Sequence, residues 1–89
     1  MNSEINWVLQ IDNSIYKFCE KIPRADSRRI FDTIESLSMN PFFGDIQKMK
    51  GDKSAWRRRT GNYRIFYEVI NDEHAIYVYK VKRRTSNTY

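Results

Sequence analysis

The spacing of apolar residues changes character near residue 45 of this 89-residue chain. Upstream, Ile11, Ile15, Phe18 and Ile22 recur every three or four positions and would share one helical face. Pro23 is expected to close that helix. A second stripe, Ile30, Phe31, Ile34 and Leu37, follows a start signal at Ala25-Asp26-Ser27, where Asp and Ser are good caps. Asn40-Pro41 should end it, because the residue before a proline avoids the helical region. The two stripes predict a helical hairpin. Ahead of them, residues 4–9 mix polar and β-prone apolar residues and predict a short first strand.

Downstream the period shortens to two. Trp56-Arg-Arg-Arg-Thr60 precedes a turn signal, Gly61-Asn62. Tyr63 to Ile70 is rich in aromatic and β-branched residues, Asn71 to His74 is a polar turn, and Ile76 to Val81 is a further strand. Short links between these runs predict a three-stranded antiparallel meander. The expected fold class is α+β: an N-terminal strand, a two-helix hairpin, then the meander, with the helices packed on one sheet face. Residues 1–89 leave room for a single domain.

Composition narrows the functional classes. Hydrophobic residues at 40% and charged residues at 30% suit a soluble globule, and aromatics at 15% supply a core for so short a chain. No stretch approaches the roughly 18 apolar residues needed to span a bilayer, so no membrane association is expected. Residues 1–6 lack the basic start and apolar run of a secretory signal. One cysteine, Cys19, excludes an internal disulfide framework and a cysteine-rich zinc site. The cytoplasm is the expected location. Cys19, beside the apolar face of the first helix, reads as a buried inert thiol, and His74, in its polar turn, as solvent-exposed. Asp26, Asp32, Glu35 and Asp45 show no metal-ligand grouping, so no metal and no cofactor is expected.

Charge changes the picture most. The formal net charge is +5, but residues 1–47 carry −2 and residues 48–89 carry +7. Such asymmetry favours a polyanionic partner, nucleic acid first. Strand alternation then sorts the cations. If Tyr63, Ile65, Tyr67 and Val69 face the helices, Arg64, Phe66 and Glu68 lie on the open face. Burying Trp56 sends Arg57 and Arg59 to that same face. Converging guanidinium groups repel, which favours an anion between them. Phe66 beside them can stack on a base. The alternative is that the arginines splay into solvent and Phe66 sits under a loop, since an open face is ordinary in antiparallel sheets.

Lys48-Met-Lys-Gly51 and Trp56-Arg-Arg-Arg-Thr-Gly-Asn-Tyr-Arg-Ile-Phe-Tyr-Glu-Val69 resemble the core signature of the RelE/ParE toxin superfamily. Leu37-Ser-Met-Asn-Pro41 matches the family's turn after the helix, and Val81-Lys-Arg-Arg84 with Tyr89 is similar to its C-terminal pattern. The resemblance implies a type II toxin inhibited by a cognate antitoxin. RelE-like members cleave mRNA, usually in the ribosomal A site, whereas ParE-like members poison DNA gyrase. It places the catalytic basic residues on Arg57, Arg59, Arg64 and Arg84, with the terminal tyrosine on Tyr89. Ala55 stands where a well-known RelE-type toxin has a lysine, so the phosphate clamp is implied but no general base is named. Arg58 replaces the usual apolar residue and would snorkel at the sheet edge. Asn62 replaces the usual aspartate.

The chemistry of metal-free RNA cleavage assigns roles to these residues. The 2′-OH must lose a proton, the phosphoryl oxygens must have their extra charge stabilised, and the 5′ leaving oxygen must gain a proton. Arginine suits the second task and is a poor base. Arg57, Arg59 and Arg64 are therefore expected to bind phosphate. By resemblance, Arg84 acts near the leaving oxygen. Tyr89 is a candidate base or stacking residue; Lys48 and Lys50 are alternative bases or backbone contacts. Lys82, Arg83 and Phe66 complete the expected RNA-binding set. mRNA, the ribosome and an acidic antitoxin segment are the expected partners.

Overall fold

A computed structural model describes residues 6–51 and 54–84. The strands are β1 (Val8–Ile11), β2 (Ile46–Lys48), β3 (Ala55–Thr60), β4 (Tyr63–Ile70) and β5 (Ala75–Arg83); the helices are α1 (Asn13–Cys19) and α2 (Arg24–Met39). The sheet runs β1-β5-β4-β3-β2, with β1 parallel to β5 and every other pairing antiparallel. The α+β class and the β3-β4-β5 meander match the sequence pattern.

Several boundaries differ from expectation. The first strand is Val8–Ile11 rather than 4–9, and residues 4 and 5 lie outside the described set. Ile11 belongs to β1, yet it still packs on the core, so it fitted either stripe. α1 has only 7 residues; Asp12 caps it by accepting from the Ser14 N–H and hydroxyl. Ile22 lies beyond the helix but also packs on the core. Pro23 does not end α1. It precedes α2 directly, where a missing N–H costs nothing and its fixed φ suits helix entry. Asp26 therefore sits in the first turn of α2 rather than at its cap. Strand β2 is an edge strand that the sequence did not announce.

One sheet face is covered. Ile15, Cys19, Ile30, Ile34 and Leu37 from the helices pack on Tyr63, Ile65, Tyr67, Val69, Ile76, Val78 and Val81 from the sheet. Two buried tyrosines anchor the helical layer through their hydroxyls. Tyr63 donates to Asp26 Oδ2 at 2.8 Å, and Tyr67 donates to the Pro41 carbonyl at 2.5 Å. Cys19 is buried, and that burial raises its thiol pKa. His74 is not solvent-exposed as expected: its ring stacks on Trp7 at 3.9 Å, and it closes the 71–73 turn with φ 51°.

Burial pushes the Tyr67 phenol up to about 12, the nearby Arg58 charge offsetting only part of this, and burial with the Asp26 contact raises Tyr63 as well. An unfolded tyrosine ionises near pH 10. Both side chains thus contribute stability that is complete below about pH 10 and is lost as pH rises toward the folded values. Denaturant midpoints should fall through that alkaline window. Tyr67→Phe should flatten the fall; an equally steep decline in the variant would remove Tyr67 as its cause.

Candidate nucleic-acid interface

The uncovered sheet face is organised by the β3–β4 hairpin. Gly61 takes φ 58° in the two-residue loop between the strands, a conformation that suits glycine. The loop fixes a register in which Arg59 stands opposite Arg64 and Arg57 opposite Phe66. On the far side of β4, Lys82 pairs with Arg64 and Lys80 with Phe66. The result is a cationic row, Arg59–Arg64–Lys82, crossing three strands, with a second row, Gln47–Arg57–Phe66–Lys80, beside it. Neighbouring strands lie about 4.8 Å apart, so the first row spans roughly 10 Å.

These side chains are only partly satisfied by the protein. The Arg59 Nε donates to Asp45 Oδ2 at 3.0 Å, an ion pair open to solvent on both sides. The Arg57 Nη2 donates to Gln47 Oε1. The Nε atoms of Arg57 and Arg64 are shielded from solvent and have no acceptor among the described residues. Buried donors without an acceptor and a like-charged row both cost stability, and an oxyanion at the row would offset the charge repulsion. Glu68 lies on the same face one row further on, opposite Ala55, and accepts from the Ser54 hydroxyl at 3.1 Å.

The expected site residues do not all converge. Arg57, Arg59, Arg64, Phe66 and Lys82 share the open face. Lys48 is opposite Trp56, on the helix-side parity, with its Nζ 5.9 Å from the indole centroid. Arg83 is opposite Tyr63 and lies over that ring at 5.6 Å, again on the helix side. Lys50 is exposed just past the end of β2. Arg84 is exposed, and its N–H donates to the Asn62 carbonyl at 2.6 Å, which pins its backbone beside the β3–β4 loop near Arg64. Tyr89 lies outside the described residues. Arg58 turns toward the helices: it donates to the Phe43 carbonyl at 3.2 Å and lines a groove with Arg28, Arg29 and Asp32. Gly44 (φ 95°) admits it, since a Cβ there would meet the guanidinium carbon at 2.5 Å.

Lys80, Tyr77 and Tyr79 belong to the open face and were missing from the sequence-derived set. The signal for the tyrosines was present, because Ile76 and Val78 alternate with them and are buried. Lys80 depends on a β-bulge: the register shifts between Phe66 and Tyr67, so that β5 skips from Val78 to Lys80 and Tyr79 is left over.

Comparisons with known proteins bear on this geometry. A family model described as the ParE toxin of the type II toxin–antitoxin system parDE matches residues 8–88. A protein of Methanocaldococcus jannaschii named as toxin RelE1 is 29% identical over 79 residues, covering 85% of this chain and 88% of that protein. A chain from the archaeal RelE–RelB complex of Pyrococcus horikoshii OT3 superposes with a TM-score of 0.80 at 25% identity, covering 93% of this chain and 100% of that one. The isolated E. coli RelE toxin superposes with a TM-score of 0.76 at 17% identity, covering 91% of this chain and 87% of its own.

Proposed function

The chain belongs to the ParE toxin family of type II toxin–antitoxin systems within the RelE/ParE superfamily, and from that premise and the basic sheet face we propose that this RelE-like toxin cleaves mRNA. The observation that carries the reading is the Arg59–Arg64–Lys82 row, with the Arg64 guanidinium at its centre. A phosphate of a ribose-phosphate chain lodged at the row would place its oxygens against these cationic groups.

The reaction is attack of a 2′-oxygen on the adjacent phosphorus. The P–O2′ bond forms as the P–O5′ bond breaks, leaving a 2′,3′-cyclic phosphate upstream and a 5′-hydroxyl downstream. The 2′-OH proton passes to a base and the 5′-oxygen takes up a proton. Arg57, Arg59 and Arg64 stabilise the charge that builds on the phosphoryl oxygens. Lys82 is a fourth donor in the same row. Arg84, held beside the β3–β4 loop, is the candidate for the leaving-oxygen side, and Tyr89 the candidate base. The ribosome is the proposed co-substrate. A cognate antitoxin is the proposed inhibitor, as RelB accompanies RelE in the Pyrococcus horikoshii complex.

Purified toxin added to translating ribosomes should yield A-site cuts with 2′,3′-cyclic or 3′-phosphate ends. Growth arrest with mRNA intact would overturn the reading. The name of the matched family favours a second reading, a ParE-like gyrase poison without ribonuclease activity. That reading requires gyrase cleavage complexes that persist in the Arg84→Ala variant.

A further inference from the structure

The open face is not uniformly cationic. Beyond the arginine rows, Phe66, Tyr79 and Tyr77 form a run of rings, with centroids 6.4 Å apart for Phe66 and Tyr79 and 6.1 Å for Tyr77 and Tyr79. The rings are tilted by 43° and 34°, and all three side chains are half-buried. They therefore do not consume one another's faces by stacking. Tyr77 is held at the outer end, where its hydroxyl donates to Asp12 Oδ1 at 3.0 Å. The bulge gives Tyr79 and Lys80 a shared position opposite Phe66. Tyr79 and Lys80 thus lie side by side across from Phe66.

The charges give the run a direction. Arg59, Arg64 and Lys82 occupy one end of the face, while Glu68 and Asp12 flank the tyrosine end. Phosphates are drawn to the first end and repelled from the second. A base carries no net charge, has a π-face, and suits a tilted ring beside a carboxylate. Successive same-face residues on a strand lie roughly 6.6 Å apart, so each step from the Arg64 row to the Phe66 row to the Tyr77 row is of nucleotide size.

We propose that Phe66, Tyr79 and Tyr77 form a stacking track for the bases of the nucleotides on one side of the scissile phosphate, with Lys80 contacting the next phosphate along the strand. The proposal rests on the RNA-cleaving reading of this face and adds which part of the substrate each half of the face holds. Because stacking is tolerant of base identity, the track orients the strand without selecting a codon.

The probe is a short single-stranded RNA carrying a 2′-O-methyl group at every position, to block cutting, and with an abasic position walked along it. Binding is followed by fluorescence anisotropy over a range of salt. Tyr79→Leu keeps an apolar cover on the sheet and removes the ring; it should weaken binding about tenfold, equally at every salt concentration. Tyr79→Phe should bind like wild type. One abasic position should weaken wild type to the same degree and leave Tyr79→Leu no weaker than it already is. Lys80→Ala should instead reduce the slope of log affinity against log salt by about 0.7. Wild-type binding by Tyr79→Leu, or a loss that adds fully to that of every abasic position, overturns the track. Ribosome-dependent cleavage is measured on the same proteins. Cutting by wild type with a neutral Tyr79→Leu, or with no binding of the free RNA, sinks the track alone; stacking without cutting by wild type sinks the cleavage reading alone; neither binding nor cutting by wild type sinks both.

Discussion

Arg64→Ala should lower ribosome-dependent mRNA cleavage by about 100- to 1,000-fold while the protein stays folded, the size expected when one preorganised donor to a developing oxyanion is removed. Arg64 sits in the middle of the cationic row, between Arg59 and Lys82, so its loss splits the row rather than trimming an end. The stability change should run the other way. Like charges directly opposite on neighbouring strands destabilise a sheet, and the shielded Nε of Arg64 has no acceptor among the described residues. Removing the guanidinium relieves both costs, so the thermal midpoint should be unchanged or slightly higher. Arg64→Lys should recover part of the activity, since a point charge replaces a bidentate fork. Cleavage at the wild-type rate in Arg64→Ala would remove the residue from the reaction. Cleavage and folding lost together would assign it a structural role.

Arg64 was placed from sequence because its strand obeys one rule without interruption. In β4 each of Tyr63, Ile65, Tyr67 and Val69 is buried and each residue between them is half-exposed. A central strand with one face covered and one face open writes that contrast directly into its residue types. The same rule put Arg57 and Arg59 on the open face, because Trp56 marked the covered side. Trp56 itself is half-buried against the core.

Where the rule met an irregularity, the side-chain positions were lost. Plain alternation from Ile76 would send Val81 outward and Lys80 and Lys82 inward. The bulge at Tyr79 resets the parity, so that Val81 is buried and Lys80 and Lys82 are exposed. Local sequence does not fix a bulge; pairing with β4 does. Charge clustering likewise carried no information about faces. Lys48 and Arg83 are near the arginines in sequence but stand over Trp56 and Tyr63, on the other side of the sheet. The boundary between β1 and α1 was obscured for a different reason. Ile11 satisfies the helical repeat, yet its parallel pairing with Val78 makes it the last residue of β1. A non-local partner decided what local spacing left open.

The covered face supplies the converse experiment. Leu37→Ala should lower stability by about 2–5 kcal/mol, because Leu37 is fully buried and its loss leaves a cavity between α2 and the sheet. Chains of this size hold roughly 4–13 kcal/mol in total, so the change is a large fraction of the whole. The thermal midpoint should fall by roughly 10–25 °C. Activity should behave differently from Arg64→Ala. Leu37 belongs to the helical layer, and the β4 backbone separates that layer from the arginine row, which is held by its own hairpin register. Well below the lowered midpoint, cleavage per folded molecule should therefore match wild type, and it should fall with the folded fraction on warming. An unchanged midpoint would contradict the packing of α2 on the sheet. A loss of specific activity in fully folded Leu37→Ala would mean that the helical layer, and not the hairpin alone, sets the spacing of Arg59 and Arg64.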